Sequence, residues 1–234
     1  MPLEVLHPAR NWSKADVFRG EWPPGSGRRV VVKDLRGRPL WFRLLYGRAV
    51  LNREWKALSA LHGVPGVPEV IARPDADVIV IEFRSGMPAV EFSDGALPAE
   101  VVGRIEQAVR ELHARGVTHG DLHRKNILVA DDGTITLIDW ATASFFGPRP
   151  RGAKAVSFAE WCALDDRAVA KVKARHAPEL MTPREREIML QGGSPLYRAV
   201  KQVRYVGERL RRRHRKGAGA TAGAAYQKTL EKDS

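Results

Sequence analysis

Short apolar runs alternate with helical patterns along this chain. Arg29-Val-Val-Val-Lys33 reads as an apolar strand ending in a lone lysine, and Asp77-Val-Ile-Val-Ile-Glu-Phe83 as a second run of strand length. Between them Leu51, Leu58 and Leu61 recur at helical spacing over roughly 47–61, a stretch closed by His62-Gly63 and Pro65. Glu54 falls on the same stripe. A carboxylate on an apolar face is costly unless paired, so Glu54 either has a cationic partner or sits at the edge of the stripe in solvent beside Arg53 and Lys56. From Pro98 to Arg115 an amphipathic helix is expected, with Val101, Val102, Ile105, Ala108, Val109 and Leu112 on its buried side and Gly116 just past its end. Another helix is expected around 157–176. Thr182-Pro183-Arg184-Glu185 has the form of a capping box that starts a further one, which breaks at Gly192-Gly193 and resumes over about 195–213.

Between these helices lies the segment THGDLHRKNILVADDGTITLIDWA, residues 118–141. Ile127–Val129 and Ile135–Ile138 read as two short strands, and Asp131-Asp132-Gly133 supplies turn chemistry between them. Asn126 precedes the first strand and Asp139 ends the second, so hairpin geometry sets the two side by side. Oxygen ligands converging from two strand ends suit a hard divalent cation bound to phosphate, because Mg²⁺ takes only one or two protein carboxylates and fills its shell with phosphate and water. Asp121 is then left to act on a substrate hydroxyl.

The order Asp121, Asn126, Asp139 in H-G-D-L-H-R-K-N and D-W-A resembles the catalytic loop and metal aspartate of the protein-kinase-like fold. Within that fold it looks most like RIO-like kinases and the lipopolysaccharide core (Kdo/heptose) kinases. The resemblance covers roughly 13–140 with specific motifs. It implies an α+β, bilobal architecture: a small N-terminal antiparallel sheet plus one helix over 1–83, a mainly helical C-lobe over 84–216, and a low-complexity tail over 217–234. It implies ATP and Mg²⁺, with Mn²⁺ as a substitute, as cofactors. Asp121 becomes the catalytic base or hydroxyl positioner, and Asn126 and Asp139 the metal ligands. Lys33 holds the ATP phosphates, Glu54 orients it, and Glu82, Phe83 and Arg84 form the main-chain hinge for adenine.

The pattern departs from that of ordinary protein kinases at three places. No G-x-G-x-x-G precedes Lys33, and Ser13 to Gly20, with Lys14, stands where these kinases carry a shortened phosphate loop. Gly25-Ser26-Gly27 is the tip of a strand turn. No A-P-E element or long activation segment follows Asp139, and Gly120 replaces the usual arginine, which implies a loop that is assembled without phosphorylation. His119 braces the catalytic loop in this reading, and Arg124 and Lys125 lie near the γ-phosphate or the acceptor. His119 and His123 lack a third ligand at zinc spacing.

A hydrophobic share of 44% and 234 residues describe a globular chain with ample core. The first residues carry no basic n-region or long apolar stretch, so no export signal is expected. The lone Cys162 excludes an internal disulfide framework and reads as core filler. Cytoplasmic residence follows as the expectation, with peripheral attachment at the inner membrane face as an extension of it. Net charge is +12, and part of it is concentrated in a basic run at 209–216, a candidate surface for anionic membrane, RNA or ribosomal partners. The expected function is phosphotransfer from ATP to a hydroxyl-bearing acceptor, a protein Ser/Thr or a lipopolysaccharide sugar. An aminoglycoside- or choline-kinase-like small-molecule phosphotransferase, or a silent nucleotide-binding module with a basic docking surface, is the alternative.

Overall fold

Period-two alternation in the N-terminal runs builds a five-stranded antiparallel sheet. A computed structural model describes residues 4–7 and 15–190. Lys14, the helix expected over 195–213, the basic run and the tail lie outside the described residues. The strands are β1 (Glu4–His7), β2 (Asp16–Glu21), β3 (Arg29–Asp34), β4 (Val70–Asp75) and β5 (Val78–Glu82), in the order β1-β2-β3-β5-β4. Val30 and Val32 of β3 pack with Val78 and Val80 of β5 on one face, while Ile79 and Ile81 join the main core on the other. Directly opposed residues share a face of a pleated sheet, and Lys33 stands opposite Ile79. The alternation therefore delivers Lys33 to the face that carries the main core.

One expectation is corrected here. Asp16 to Gly20, anticipated as part of a phosphate loop, is strand, paired residue by residue with β3 from Asp16↔Asp34 to Glu21↔Arg29. Val17 and Phe18 are good strand formers, and their backbone is committed to that ladder.

The helix expected from about 47 begins earlier. Leu40–Phe42 (α1) passes through a π-helical turn, Arg43–Gly47, into Arg48–Ala60 (α2). Leu40, Trp41, Leu44, Leu45 and Tyr46 are all more than half exposed. Two arginines of this stretch hold its start to the β4–β5 turn. Arg48 reaches Asp77 with Nε and Nη2, both at 2.9 Å, and Arg43 also bonds that carboxylate. Hydrogen bonds from Arg48 and Arg43 hold Asp77 well below its usual 3.8. A depressed carboxylate contributes stability above its unfolded value and loses it as pH falls through the folded one. The thermal midpoint should therefore drop as pH is lowered from 5 to 3, and Asp77→Asn should lower the midpoint at pH 5 while flattening that acid slope. Parallel slopes in the two proteins would remove the cluster from the acid response.

The remainder is mainly helical. β6 (Met87–Pro88) leads to α3 (Ala99–Ala114) and β7 (Val117–Thr118). The hairpin β8 (Ile127–Val129) and β9 (Ile135–Leu137) joins β6 in a three-stranded sheet, and β10 (Ser144–Phe145) pairs with β7. Two helices, α4 (Ala153–His176) and α5 (Pro183–Leu190), complete the described chain. All six residues expected on the buried side of α3 are buried. Gly116, at φ +69°, ends α3 because a Cβ there would lie 1.8 Å from the Gly147 carbonyl oxygen.

The capping box is formed: Glu185 accepts from the Thr182 amide at 2.8 Å, and Thr182 Oγ1 accepts from the Glu185 amide at 3.2 Å. Lys173, only 1% exposed, sits between Glu106 at 2.8 Å and Glu185 at 2.7 Å, tying α3, α4 and α5 together. One continuous core runs from Ile79 through Leu51 and Leu58 of α2 to Ile105 of α3 and Leu137 of the hairpin, so sheet and helical lobe share an interior. No helix among the described residues is long and apolar enough to cross a membrane.

Candidate functional site

Two periodicities meet at Lys33. The period of two puts it on the inner face of β3. The period of 3.6 buries Glu54 with Leu51 and Leu58 along α2. Lys33 Nζ donates to Glu54 Oε1 at 2.5 Å, and the glutamate is 1% exposed. Burial by itself would lower the lysine; the carboxylates of Glu54 and Asp139 outweigh it and hold Lys33 above its usual 10.5. Asp139 is thus close enough to act on the same ammonium from the opposite lobe.

The hairpin presents the oxygen-bearing residues. Ile138 N donates to the Asn126 carbonyl at 2.9 Å, so Asn126 lies opposite Ile138, one residue from Asp139. Asn126 Nδ2 donates to the Asp121 carbonyl at 3.0 Å, which fixes the amide and leaves Oδ1 as the atom that could meet a cation. Asp139 has φ +65° and ψ +68°, the only positive φ outside glycine among the described residues. A left-handed aspartate is uncommon, and such backbone strain gathers at functional sites. The strained turn takes Asp139 out of the β9 ladder where Lys33 approaches. His123 Nε2 is 3.7 Å from Asp121 Oδ1.

His119 is wholly buried and bonds the Ile138 carbonyl through Nε2 at 3.0 Å. The Asp121 amide donates to its Nδ1 at 3.4 Å, and the ring lies against Trp140 with centroids 4.8 Å apart. With Nδ1 accepting from the Asp121 amide and Nε2 facing a carbonyl, the bonding pattern calls for the Nε2–H neutral tautomer, and burial pushes the ring's pKa below 6.5 against the pull of Asp165. The expected bracing role is therefore realised through the ring as well as the backbone.

Asp165 was not singled out from sequence. Its side chain is fully buried and accepts the amides of His119 at 2.8 Å and Gly120 at 2.9 Å. A signal existed: Asp165, Val169, Val172 and His176 are buried on one stripe of α4, the same oddity that marked Glu54. Gly120 itself sits at φ +74°, where a Cβ would come 2.9 Å from the Trp161 ring and 3.0 Å from the Thr142 carbonyl oxygen. An arginine at this place would be strained and crowded, which accounts for the glycine physically. Cys162, expected as core filler, is half-buried and outside the core clusters; partial burial raises its thiol to about 12, which disfavours a nucleophile.

At the expected hinge, the Glu82 amide donates to the Glu69 carbonyl at 2.8 Å and the Phe83 amide to the Arg29 carbonyl at 3.2 Å. Those two amides are spent within the sheet. Arg84 Nε pairs with Glu82 Oε2 at 2.9 Å, and the Phe83 ring has the guanidinium groups of Arg19 and Arg29 at 5.5 and 5.2 Å.

Residues 43–145 match the RIO domain family. Over 144 residues the chain is 34% identical to a probable SapB synthase of Streptomyces coelicolor, an alignment covering 50% of this chain and 15% of that protein. It is 28% identical over 137 residues to the probable serine/threonine-protein kinase PknB of Lactococcus lactis, covering 55% of this chain and 22% of the relative. The chain thus spans less than a quarter of the length of either. The fold is similar to that of the Rio2 kinase from Chaetomium thermophilum, solved as an ADP/Mg²⁺-phosphoaspartate complex, with a TM-score of 0.55 and 18% identity over 86% of this chain and 61% of that one. Fold and sequence match together show a chain with the protein-kinase-like fold, in which residues 43–145 are similar to the RIO domain family.

Proposed function

We propose that the chain is an ATP- and Mg²⁺-dependent phosphotransferase that moves the γ-phosphate of ATP to a hydroxyl. The observation that carries this reading is the buried Lys33–Glu54 pair, whose ammonium also feels the Asp139 carboxylate. A structural ion pair has no need of a third, strained carboxylate across the lobes; a phosphate clamp does. Asn126 Oδ1 and the Asp139 carboxylate are hard oxygen donors suited to Mg²⁺ or Mn²⁺. When bound, the cation neutralises charge on the phosphate oxygens. Glu54 keeps Lys33 charged and aimed at the α- and β-phosphates. Asp121 accepts the proton of the acceptor hydroxyl as its oxygen bonds to phosphorus and the bond to the ADP oxygen breaks. With the Glu82 and Phe83 amides already used, adenine contacts from the hinge fall to its carbonyls or to Arg84. Lys14, expected to help hold phosphate, belongs to the same proposal.

The acceptor in this reading is a protein Ser/Thr or a lipopolysaccharide core sugar. The similarity to a serine/threonine-protein kinase supports the former; the glycolipid rests on the sequence resemblance alone. The lobes divide at about residue 83 in this reading. The basic run at 209–216 is assigned to an anionic membrane surface or RNA, which would place a cytoplasmic protein at the inner membrane face. Asp121→Ala tests the chemistry: transfer from radiolabelled ATP to a peptide mixture or to deep-rough lipopolysaccharide should fall by about 10²-fold or more. An unchanged rate in a variant with native thermal midpoint would remove Asp121 from the reaction.

A further inference from the structure

Asp121 and His123 flank a buried leucine at the head of the catalytic loop. Alternation along extended backbone sends neighbouring side chains to opposite sides. Leu122 is 7% exposed and belongs to the main core, and His123 is extended, with φ −159° and ψ 164°. The imidazole therefore emerges on the side of the Asp121 carboxylate. Both residues are held through their main chains. The Asn126 amide donates to the His123 carbonyl at 2.8 Å, as the 3₁₀ turn Arg124–Asn126 begins. The Asp121 amide donates to His119 Nδ1, and its carbonyl accepts from Asn126 Nδ2. These bonds bring His123 Nε2 to 3.7 Å from Asp121 Oδ1, with the histidine side chain 44% exposed and the aspartate 23%.

Main-chain bonds fix the backbone of Asp121 but not the rotation of its carboxylate. A base takes a proton through one oxygen in one direction, and orientation carries a large share of catalysis. A donor on Oδ1 sets that rotation and with it the direction in which Oδ2 points. Imidazole can supply the donor as the Nε2–H neutral tautomer or as the imidazolium, so the contact does not depend on the charge of the ring. A separation of 3.7 Å is slightly beyond hydrogen-bond length, and catalytic hydrogen bonds are often long in unliganded sites and tighten in the substrate complex. We infer that His123 is a positioning residue, whose Nε2–H holds Oδ1 of Asp121 so that Oδ2 meets the acceptor hydroxyl and takes its proton. This deepens the phosphotransferase reading and rests on it. A purely structural pair is the competing account, but a half-exposed imidazole beside a carboxylate adds little to stability. Rate and fold therefore separate the two.

The test uses the full chain with Mg²⁺ and radiolabelled ATP, reading transfer to a serine/threonine peptide mixture and, with water as acceptor, hydrolysis of ATP. His123→Leu keeps bulk and removes the donor. It should lower kcat about 10-fold or more, the loss anticipated for one hydrogen bond to a charged group, with KM for ATP within a few-fold and the thermal midpoint unchanged. His123→Gln, whose amide nitrogen reaches the place of Nε2, should recover most of the rate. In an Asp121→Ala background His123→Leu should cost nothing further, because the group it positions is gone. His123→Ala repeats the comparison in case the leucine variant folds poorly. A parental rate in folded His123→Leu or His123→Ala would overturn the positioning role. So would a glutamine variant no better than leucine, or an undiminished loss in the Asp121→Ala background. Failure of the underlying reading looks different: the parent itself would neither transfer nor hydrolyse, and both inferences would fall together.

Discussion

Asp139→Asn is expected to cut ATP-dependent phosphotransfer by about 10²- to 10³-fold while leaving the fold intact. The substitution keeps size and shape, and asparagine tolerates the left-handed backbone of this position at least as well as aspartate. What it removes is charge. The carboxylate is the stronger of the two oxygen donors on the hairpin, and it is also one of two anions that keep Lys33 protonated. Both losses fall on the nucleotide phosphates and not on packing. The measurement is a pair: turnover with Mg²⁺ and ATP, and thermal midpoint. Near-native transfer would sink the metal role, and a collapsed midpoint would mean that Asp139 is structural.

The second large effect is on stability and concerns Asp165. Truncation to alanine leaves the His119 and Gly120 amides buried without an acceptor, at about 1–3 kcal/mol each, roughly 2–6 kcal/mol together. For a chain of this size that corresponds to a fall in thermal midpoint on the order of 10 °C. Turnover should drop as well, since these amides fix the backbone immediately before Asp121. Asp165→Asn keeps one carboxamide oxygen and should fall between parent and alanine variant. A midpoint within a degree or two of the parent for Asp165→Ala would show that another group satisfies those amides.

Which parts were legible in the sequence follows from how local their causes are. Lys33 and Glu54 could be found because each is fixed by the period of its own element, and a carboxylate on an apolar stripe demands a partner. The hairpin was readable because turn chemistry and two short apolar runs set its register. The start of the long helix was not. A π turn inserts a residue and shifts the helical phase, and the apolar residues before it face solvent, so they mark no buried stripe. Strand β2 was missed for another reason: the segment was read through a family loop while Val17 and Phe18 already indicated a strand. Asp165 lies in a helix whose first half buries little, which dilutes the pattern around it.

The neutral His119 has a consequence for kinetics. Its ring is sealed between Trp140 and the Ile138 carbonyl, with its pKa lowered further from the physiological range. Burial therefore moves any inflection that this imidazole contributes to a rate–pH profile to the acid side of an ordinary histidine's.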